Sequence, residues 1–65
     1  MTTVHEALAA LQERWGSTHL IWYVPMALGG YTWCARRHGA PLRDVIHADS
    51  AEHLAEYIIE AEADS

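Results

Sequence analysis

Two consecutive glycines, Gly29 and Gly30, separate two runs of aromatic and β-branched residues, and this arrangement constrains the fold more than any other feature of the sequence. Both runs, residues 20–24 and 31–34, have the composition of β-strands. A two-residue type I′ turn needs positive φ at both central residues, which glycine adopts without strain. The sequence therefore predicts a β-hairpin that turns at Gly29-Gly30.

Segments with helical periodicity flank this hairpin on both sides. Thr3 and Glu6 have the spacing of a capping box, and the apolar residues that follow recur every three or four positions. Asp49 and Glu52 repeat the capping pattern before a second apolar stripe. These patterns predict one helix near each end of the sequence.

A third strand completes the predicted sheet. Residues 38–41, His-Gly-Ala-Pro, form a second turn signal and lead into a strand over residues 42–48. We therefore predict a single α+β domain over residues 1–65, since 65 residues allow only one. Its order is α-β-β-β-α: a three-stranded antiparallel meander with two helices packed on one face.

The two turns also predict a register, and strict alternation then assigns each side chain to a face. A turn at Gly29-Gly30 places Met26 opposite Trp33, and the second turn places Trp33 opposite Ile46. The face under the helices is then Leu20, Trp22, Val24, Met26, Leu28, Tyr31, Trp33, Ala35, Leu42, Ile46 and Ala48. The opposite face is His19, Ile21, Tyr23, Thr32, Cys34, Arg36, Arg43, Val45 and His47.

Composition and charge narrow the classes of function. The formal net charge of -5 disfavours nucleic acid as the main partner. A single cysteine, Cys34, excludes an internal disulfide, and the longest apolar stretch, residues 20–30, is too short to cross a bilayer. Residues 1–6 lack the basic and then apolar run of a signal peptide. We expect a cytoplasmic protein without a membrane segment.

The residue types that carry catalysis or bind metals are scattered along the sequence. No two of the five histidines have the spacing of a metal site, and two ligands such as Cys34 and His47 do not hold a metal. Cys34 has no base among its predicted cross-strand neighbours, and no paired carboxylates lie in an apolar setting. The sequence therefore predicts neither a metal, nor a cofactor, nor an enzyme.

The predicted binding residues are Tyr23, Arg36, Arg43, Met26 and Leu28. The predicted register pairs Arg36 with Arg43 beside Tyr23, and like charges opposed across strands need an anion or a stacked ring to offset them. The simpler alternative is two solvated arginines. Met26 and Leu28 lie at the apolar hairpin tip, which either packs in the core or contacts a partner.

Three hypotheses about function follow. The first is a non-enzymatic protein-binding or regulatory adaptor module that associates with itself or another protein through the sheet face or hairpin tip. In one form, acidic Glu52, Glu56 and Glu60 of one copy meet the arginines of another. The second is a nucleic-acid-binding module in which Tyr23 stacks on bases and the arginines contact phosphate. The third, which the resemblance of residues 16–19 to a segment of small toxin ribonucleases implies, is a small ribonuclease centred on His19.

Three resemblances accompany these hypotheses. The run Trp33 to Arg37, followed by Ala48 to Leu54, resembles a pattern in short uncharacterised actinomycete proteins and implies no activity. Gly16-Ser17-Thr18-His19 resembles, with one insertion, the Gly-Ser-His segment of small toxin ribonucleases, and implies the role of His19. The element order also resembles double-stranded-RNA-binding domains. That family has a basic second-helix N-terminus where this chain has an acidic one, so RNA binding is not carried over.

Overall fold

The computed structural model describes residues 3–63, which form two α-helices, one antiparallel sheet and a short 3₁₀ helix. In chain order these elements are α1 (Val4–Trp15), β1 (His19–Pro25), β2 (Tyr31–Arg37), the 3₁₀ helix (Leu42–Asp44), β3 (Ile46–Ala48) and α2 (Ala51–Ala63). The strands lie in the order β1-β2-β3. The predicted α+β fold with α-β-β-β-α order is confirmed.

Helix α1 begins as its capping pattern predicts. The Thr3 hydroxyl accepts a hydrogen bond from the Glu6 N–H at 3.1 Å, which satisfies one of the amides that have no partner at a helix start. At the other end, the Gly16 N–H donates to the Gln12 carbonyl at 2.7 Å. Leu11 and Trp15 are the buried residues of this helix.

Helix α2 begins one residue later than its capping pattern predicts. Ser50, not Asp49, provides the cap, because its hydroxyl accepts from the His53 N–H at 3.1 Å. Asp49 instead accepts a hydrogen bond from the His53 imidazole. Leu54 and Ile58 point into the core and are fully buried, as the apolar stripe predicts.

The hairpin between β1 and β2 is longer than predicted, and the predicted register was wrong. Tyr23, rather than Met26, lies opposite Trp33, a displacement of three residues. Gly29 and Gly30 have the predicted positive φ, 101° and 78°. They form only the end of a five-residue connection, because the Met26 N–H donates to the Gly30 carbonyl and the Gly29 N–H donates to the Met26 carbonyl.

An odd displacement reverses the faces of β1, because side chains alternate along a strand. Ile21 and Tyr23, which the predicted register placed opposite the helices, lie under them, and Ile21 is 3% exposed. Leu20, Trp22 and Val24 lie on the other side. Strand β2 has the predicted orientation, with Trp33 and Ala35 in the core and Cys34 and Arg36 on the other face.

The third strand is shorter than predicted and is displaced by two residues. Trp33 lies opposite Ala48 rather than Ile46, which leaves the faces of Ile46 and Ala48 as predicted. Residues 42–44 form the 3₁₀ helix instead of a strand. Arg43 therefore does not pair with Arg36, and the predicted opposition of two arginines across strands was wrong.

The core lies between the two helices and one face of the sheet. Its buried residues come from both helices and from the inward-facing positions of all three strands: Leu11, Trp15, Ile21, Trp33, Ala35, Ala48, Leu54 and Ile58. Both helices thus pack on the same face, as predicted. Over residues 3–63, neither helix combines the length and apolar character needed to cross a membrane.

Candidate protein-binding face

The side of the sheet that points away from both helices is called the open face here. Within residues 3–63, both α-helices lie on the other side, so neither of them covers it. Its side chains follow from strand alternation and the observed register. They are Leu20, Trp22 and Val24 on β1, Thr32, Cys34 and Arg36 on β2, and His47 on β3.

An apolar row runs along β1 on the open face. Leu20 is 48% and Val24 47% exposed, with Trp22 half-buried between them. Met26 extends the row at the hairpin end. It is 52% exposed, and its Sδ accepts a hydrogen bond from the Thr32 hydroxyl at 2.8 Å. Contiguous exposed apolar side chains of this kind mark protein interfaces more often than single exposed ones do.

Cys34 is the midpoint of the central strand and of the open face. It lies opposite Trp22 on one side and His47 on the other, and it is 4% exposed. Burial raises the pKa of the Cys34 thiol. The side chain is therefore a small apolar group at neutral pH, not a thiolate nucleophile.

Arg36 is the only arginine, lysine or carboxylate side chain of the open face within residues 3–63. It lies opposite Leu20, at the end of the sheet away from the hairpin. The side chain is half-buried, and its Nε is shielded from solvent with no hydrogen-bond acceptor among the described residues. Leaving a buried donor unpaired costs about 1–3 kcal/mol, so an acceptor brought to this end of the sheet would be stabilising.

The structure brings together only some of the predicted binding residues. Tyr23 lies on the helix side, where its ring centroid is 5.1 Å from that of Tyr31 and 5.3 Å from that of Trp33. It is therefore not beside Arg36, because the longer hairpin reversed β1. Arg43 is exposed in the 3₁₀ helix. Their binding roles stay predictions.

The hairpin tip is exposed, which favours the contact alternative over core packing for its two predicted residues. Leu28 has the full exposure of a free side chain, 103%, and Met26 is half exposed. Met26 adjoins the open face through Thr32. Leu28, at the tip of the connection, makes no part of the buried core.

Sequence reasoning missed Leu20, Trp22 and Val24 as surface residues. Both alternating sets of β1 are largely apolar, since Ile21 and Tyr23 are as hydrophobic as the set that faces outward. Periodicity therefore carried no signal for the orientation of this strand. The signal that would have found the surface is the length of the hairpin connection, which decides the register.

A second cluster of polar groups surrounds His19, on the helix side of the sheet. His19 is 5% exposed and lines a cavity of about 230 Å³ together with Arg37, Asp44 and Glu62. The Thr18 hydroxyl donates to the Trp15 carbonyl at 3.1 Å, so it accepts from Nδ1–H of His19 at 2.8 Å. The neutral imidazole thus carries its proton on Nδ1.

Burial lowers the pKa of His19 below its usual 6.5. Glu62 acts in the opposite direction, whereas Arg37 and His38 lower the pKa further. His19 is therefore neutral at pH 7. Because the unfolded chain then binds the His19 proton at a higher pH than the folded chain, this residue makes folding pH-dependent.

We expect His19 to lower the free energy of unfolding at acid pH. Its contribution is intact above pH 6.5 and declines as the pH falls from 6.5 towards the folded-state pKa. His19→Gln should remove this decline. Urea unfolding of both proteins between about pH 5 and about pH 8 gives the difference in unfolding free energy at each pH.

The exposed His47 supplies the matched control for this measurement, and His47→Gln should keep the wild-type decline. His53 contributes with the opposite sign, because its hydrogen bond to Asp49 raises its pKa, and that contribution is lost as the pH rises. Comparing wild type with His19→Gln cancels it. A pH-independent difference between these two proteins would contradict the prediction.

Asp49, Ser50 and His53 have the residue types of a nucleophilic triad, but their geometry is that of a helix start. The Ser50 hydroxyl accepts from the backbone N–H of His53, not from its ring. The Asp49 and His53 side chains are 80% and 50% exposed. A hydrogen bond from His53 lowers the pKa of Asp49, which is the behaviour of an exposed surface ion pair.

Comparison with known proteins assigns the chain to no group: no family model, no curated protein and no solved structure matches it. The resemblance to actinomycete proteins therefore stays a prediction, and the open face is interpreted from its own chemistry.

Proposed function

We propose that this chain is a non-enzymatic protein-binding module that associates with a second copy of itself through the open face. The observation that carries the proposal is the uncovered apolar row of Leu20, Trp22, Val24 and Met26. Burying such a row removes apolar surface from water at about 25 cal/mol per Å². The cytoplasm is the proposed location, since the fold uses no disulfide.

The charge distribution favours a second copy as the occupant of the open face. None of the three strands contains an aspartate or glutamate. The acidic residues Glu52, Glu56 and Glu60 are exposed on α2, on the other side of the sheet. Two copies that meet open face to open face keep these acidic helices apart, so the net charge of -5 opposes their association only weakly.

Association through the face is favoured over addition of a strand at the edge of β1. The side-chain amide of Gln12 donates to the Ile21 carbonyl at 3.4 Å, which occupies an acceptor that an added strand would need. Pro25, at the end of β1, has no N–H to donate. The edge of β1 is thus protected, whereas its outward face is not.

The size of the open face indicates a weak, concentration-dependent dimer. Strands of seven residues span about 23 Å, and three strands span about 10–14 Å. Two such faces bury less than the roughly 1,600 Å² of a standard interface. We therefore expect association to appear only at high protein concentration.

The nucleic-acid alternative placed Tyr23 as a stacking ring beside two arginines. With Tyr23 packed against Trp33 and Arg43 outside the sheet, no specific feature favours that alternative. The ribonuclease alternative placed its chemistry on His19, which is buried and hydrogen-bonded to Thr18. The apolar open face favours a protein partner.

Sedimentation equilibrium over a dilution series tests the proposal. Wild type should shift with concentration from 7.3 kDa towards twice that mass. Val24→Glu should weaken association by at least about 100-fold, since each dimer would bury two unpaired carboxylates.

Ile59→Glu is the matched control, because Ile59 is 46% exposed on α2, close to the 47% of Val24. It should associate like wild type. A wild-type protein that stays at 7.3 kDa up to millimolar concentration, or an equal loss in both variants, would refute the proposal.

A further inference from the structure

Two arrangements of an isologous dimer are open to this face, and the structure distinguishes between them. When identical faces meet, the twofold axis lies in the plane between the sheets, either along the strands or across them. Aligned packing of two sheets allows both, with strands within about 30° of parallel or antiparallel. An axis centred on the open face passes beside Cys34, the midpoint of β2, in both arrangements.

The position of Arg36 separates the two arrangements. With the axis along the strands, Arg36 faces Arg36 of the second copy across a gap of about 10 Å between sheets, and the two like charges repel in a partly desolvated interface. With the axis across the strands, each position on β2 faces the position equally far beyond Cys34. Arg36 then faces the partner's Thr32.

The apolar row also favours the arrangement with its axis across the strands. An axis across the strands keeps β1 over β1, so that Leu20 meets the partner's Val24 and Trp22 meets the partner's Trp22. An axis along the strands places this row over β3 of the second copy, whose residue on the open face is His47. Only an axis across the strands buries apolar surface against apolar surface.

Thr32 also has the acceptor that Arg36 lacks. The Thr32 hydroxyl donates its single proton to Met26 Sδ, so its oxygen is free to accept. Arg36 has an unpaired Nε–H in the monomer, and a turn of its half-buried side chain would direct the guanidinium to an oxygen on a second copy.

We infer that the dimer is antiparallel, with its twofold axis across the strands beside Cys34, and that Arg36 of each copy donates a hydrogen bond to the partner's Thr32. This inference rests on the proposed function. It makes Arg36 and Thr32 the pair that fixes the orientation of the two copies, while the apolar row provides most of the buried surface.

Thr32→Asp tests the arrangement directly. In the antiparallel dimer it places two new carboxylates opposite two arginines, and association should tighten about 5- to 30-fold and become salt-sensitive. Adding Arg36→Gln should abolish the tightening, whereas adding Arg43→Gln, at an arginine in the 3₁₀ helix, should leave it intact. Sedimentation equilibrium gives each dissociation constant.

The other outcomes are distinct. If Thr32→Asp weakens a dimer that Val24→Glu also dissociates, the two carboxylates face each other, the axis runs along the strands, and this inference is wrong while the proposed function stands. If wild type is monomeric at every concentration, the proposed function fails, and the arrangement fails with it.

Cross-linking provides a second measurement that does not depend on Thr32→Asp folding. Two proteins are made in a Cys34→Ser background, one carrying Leu20→Cys and the other Val24→Cys, both of which keep the row apolar. In the antiparallel dimer these positions face each other at about 10 Å. A short bis-maleimide should link the mixture much more efficiently than either protein alone, and equal yields would overturn the inference.

Discussion

Replacing Leu54 with alanine is expected to lower the free energy of unfolding by about 3 kcal/mol. Leu54 is 0% exposed and is one of the two largest fully buried side chains, with Ile58. Its removal deletes apolar contacts and leaves a cavity that surrounding helix and sheet fill only in part. A domain of 65 residues has a total stability of about 3–10 kcal/mol, so most of its margin would be lost.

Urea unfolding followed by circular dichroism measures this effect at a concentration where the chain is monomeric. Leu42→Ala is the matched control, because Leu42 is 74% exposed, and its change should stay within about 0.5 kcal/mol. A loss below about 1 kcal/mol for Leu54→Ala would show that the core between α2 and the sheet is not packed as described.

Replacing Gly16 with alanine is expected to destabilise the fold by about 2 kcal/mol. A methyl group at this position would lie 2.3 Å from the Gln12 carbonyl oxygen. That oxygen accepts the Gly16 N–H at 2.7 Å, which holds it in place. The last turn of α1 must therefore shift, and the connection into β1 shifts with it, since the Thr18 N–H is bonded to the Trp15 carbonyl.

The sign of this effect is informative. Gly16 has φ -61°, an ordinary helical value, and in the absence of a close contact alanine would stabilise it by about 0.4–1 kcal/mol through the unfolded state. Denaturant unfolding of Gly16→Ala, with Ser17→Ala at the neighbouring exposed position as the control, separates the steric effect of the methyl group from the effect of alanine on the unfolded state. A gain in stability for Gly16→Ala would contradict the close approach.

The helices were predictable because their signals are redundant. In α1, the Thr3 cap and the apolar spacing predict the same helix, which the structure has at Val4–Trp15. Ser50 replaced Asp49 as the cap of α2 because both are good capping residues and stand next to each other.

The sheet was only partly predictable. Strand β2 was placed on the correct face because Trp33 and Ala35 contrast with Arg36. Strand β1 has no such contrast, so its orientation depended wholly on the hairpin. Positive φ at Gly29 and Gly30 fits a two-residue turn and also the end of a longer connection, and the sequence does not separate these.

The candidate site was also only partly predictable, because some of its residues depend on the register of β1. Arg36 was assigned to the correct face, because its assignment did not depend on β1. Met26 and Leu28 were assigned with β1 to the face under the helices, and the structure instead leaves them exposed at the hairpin connection. Tyr23 was assigned to the wrong face together with its strand. Its contacts with Tyr31 and Trp33 are long-range consequences of register, which periodicity within a short strand does not reveal.

The Gln12 amide on the Ile21 carbonyl has a consequence for assembly at high concentration. Exposed sheet edges template fibrils, because each added strand offers a new edge to the next. Here Gln12 and Pro25 hinder strand addition at one edge of the sheet, β1. The other edge strand, β3, is only three residues long. In the proposed dimer, growth by stacking also ends once two open faces have met, so we expect concentrated protein to form closed pairs and no filaments.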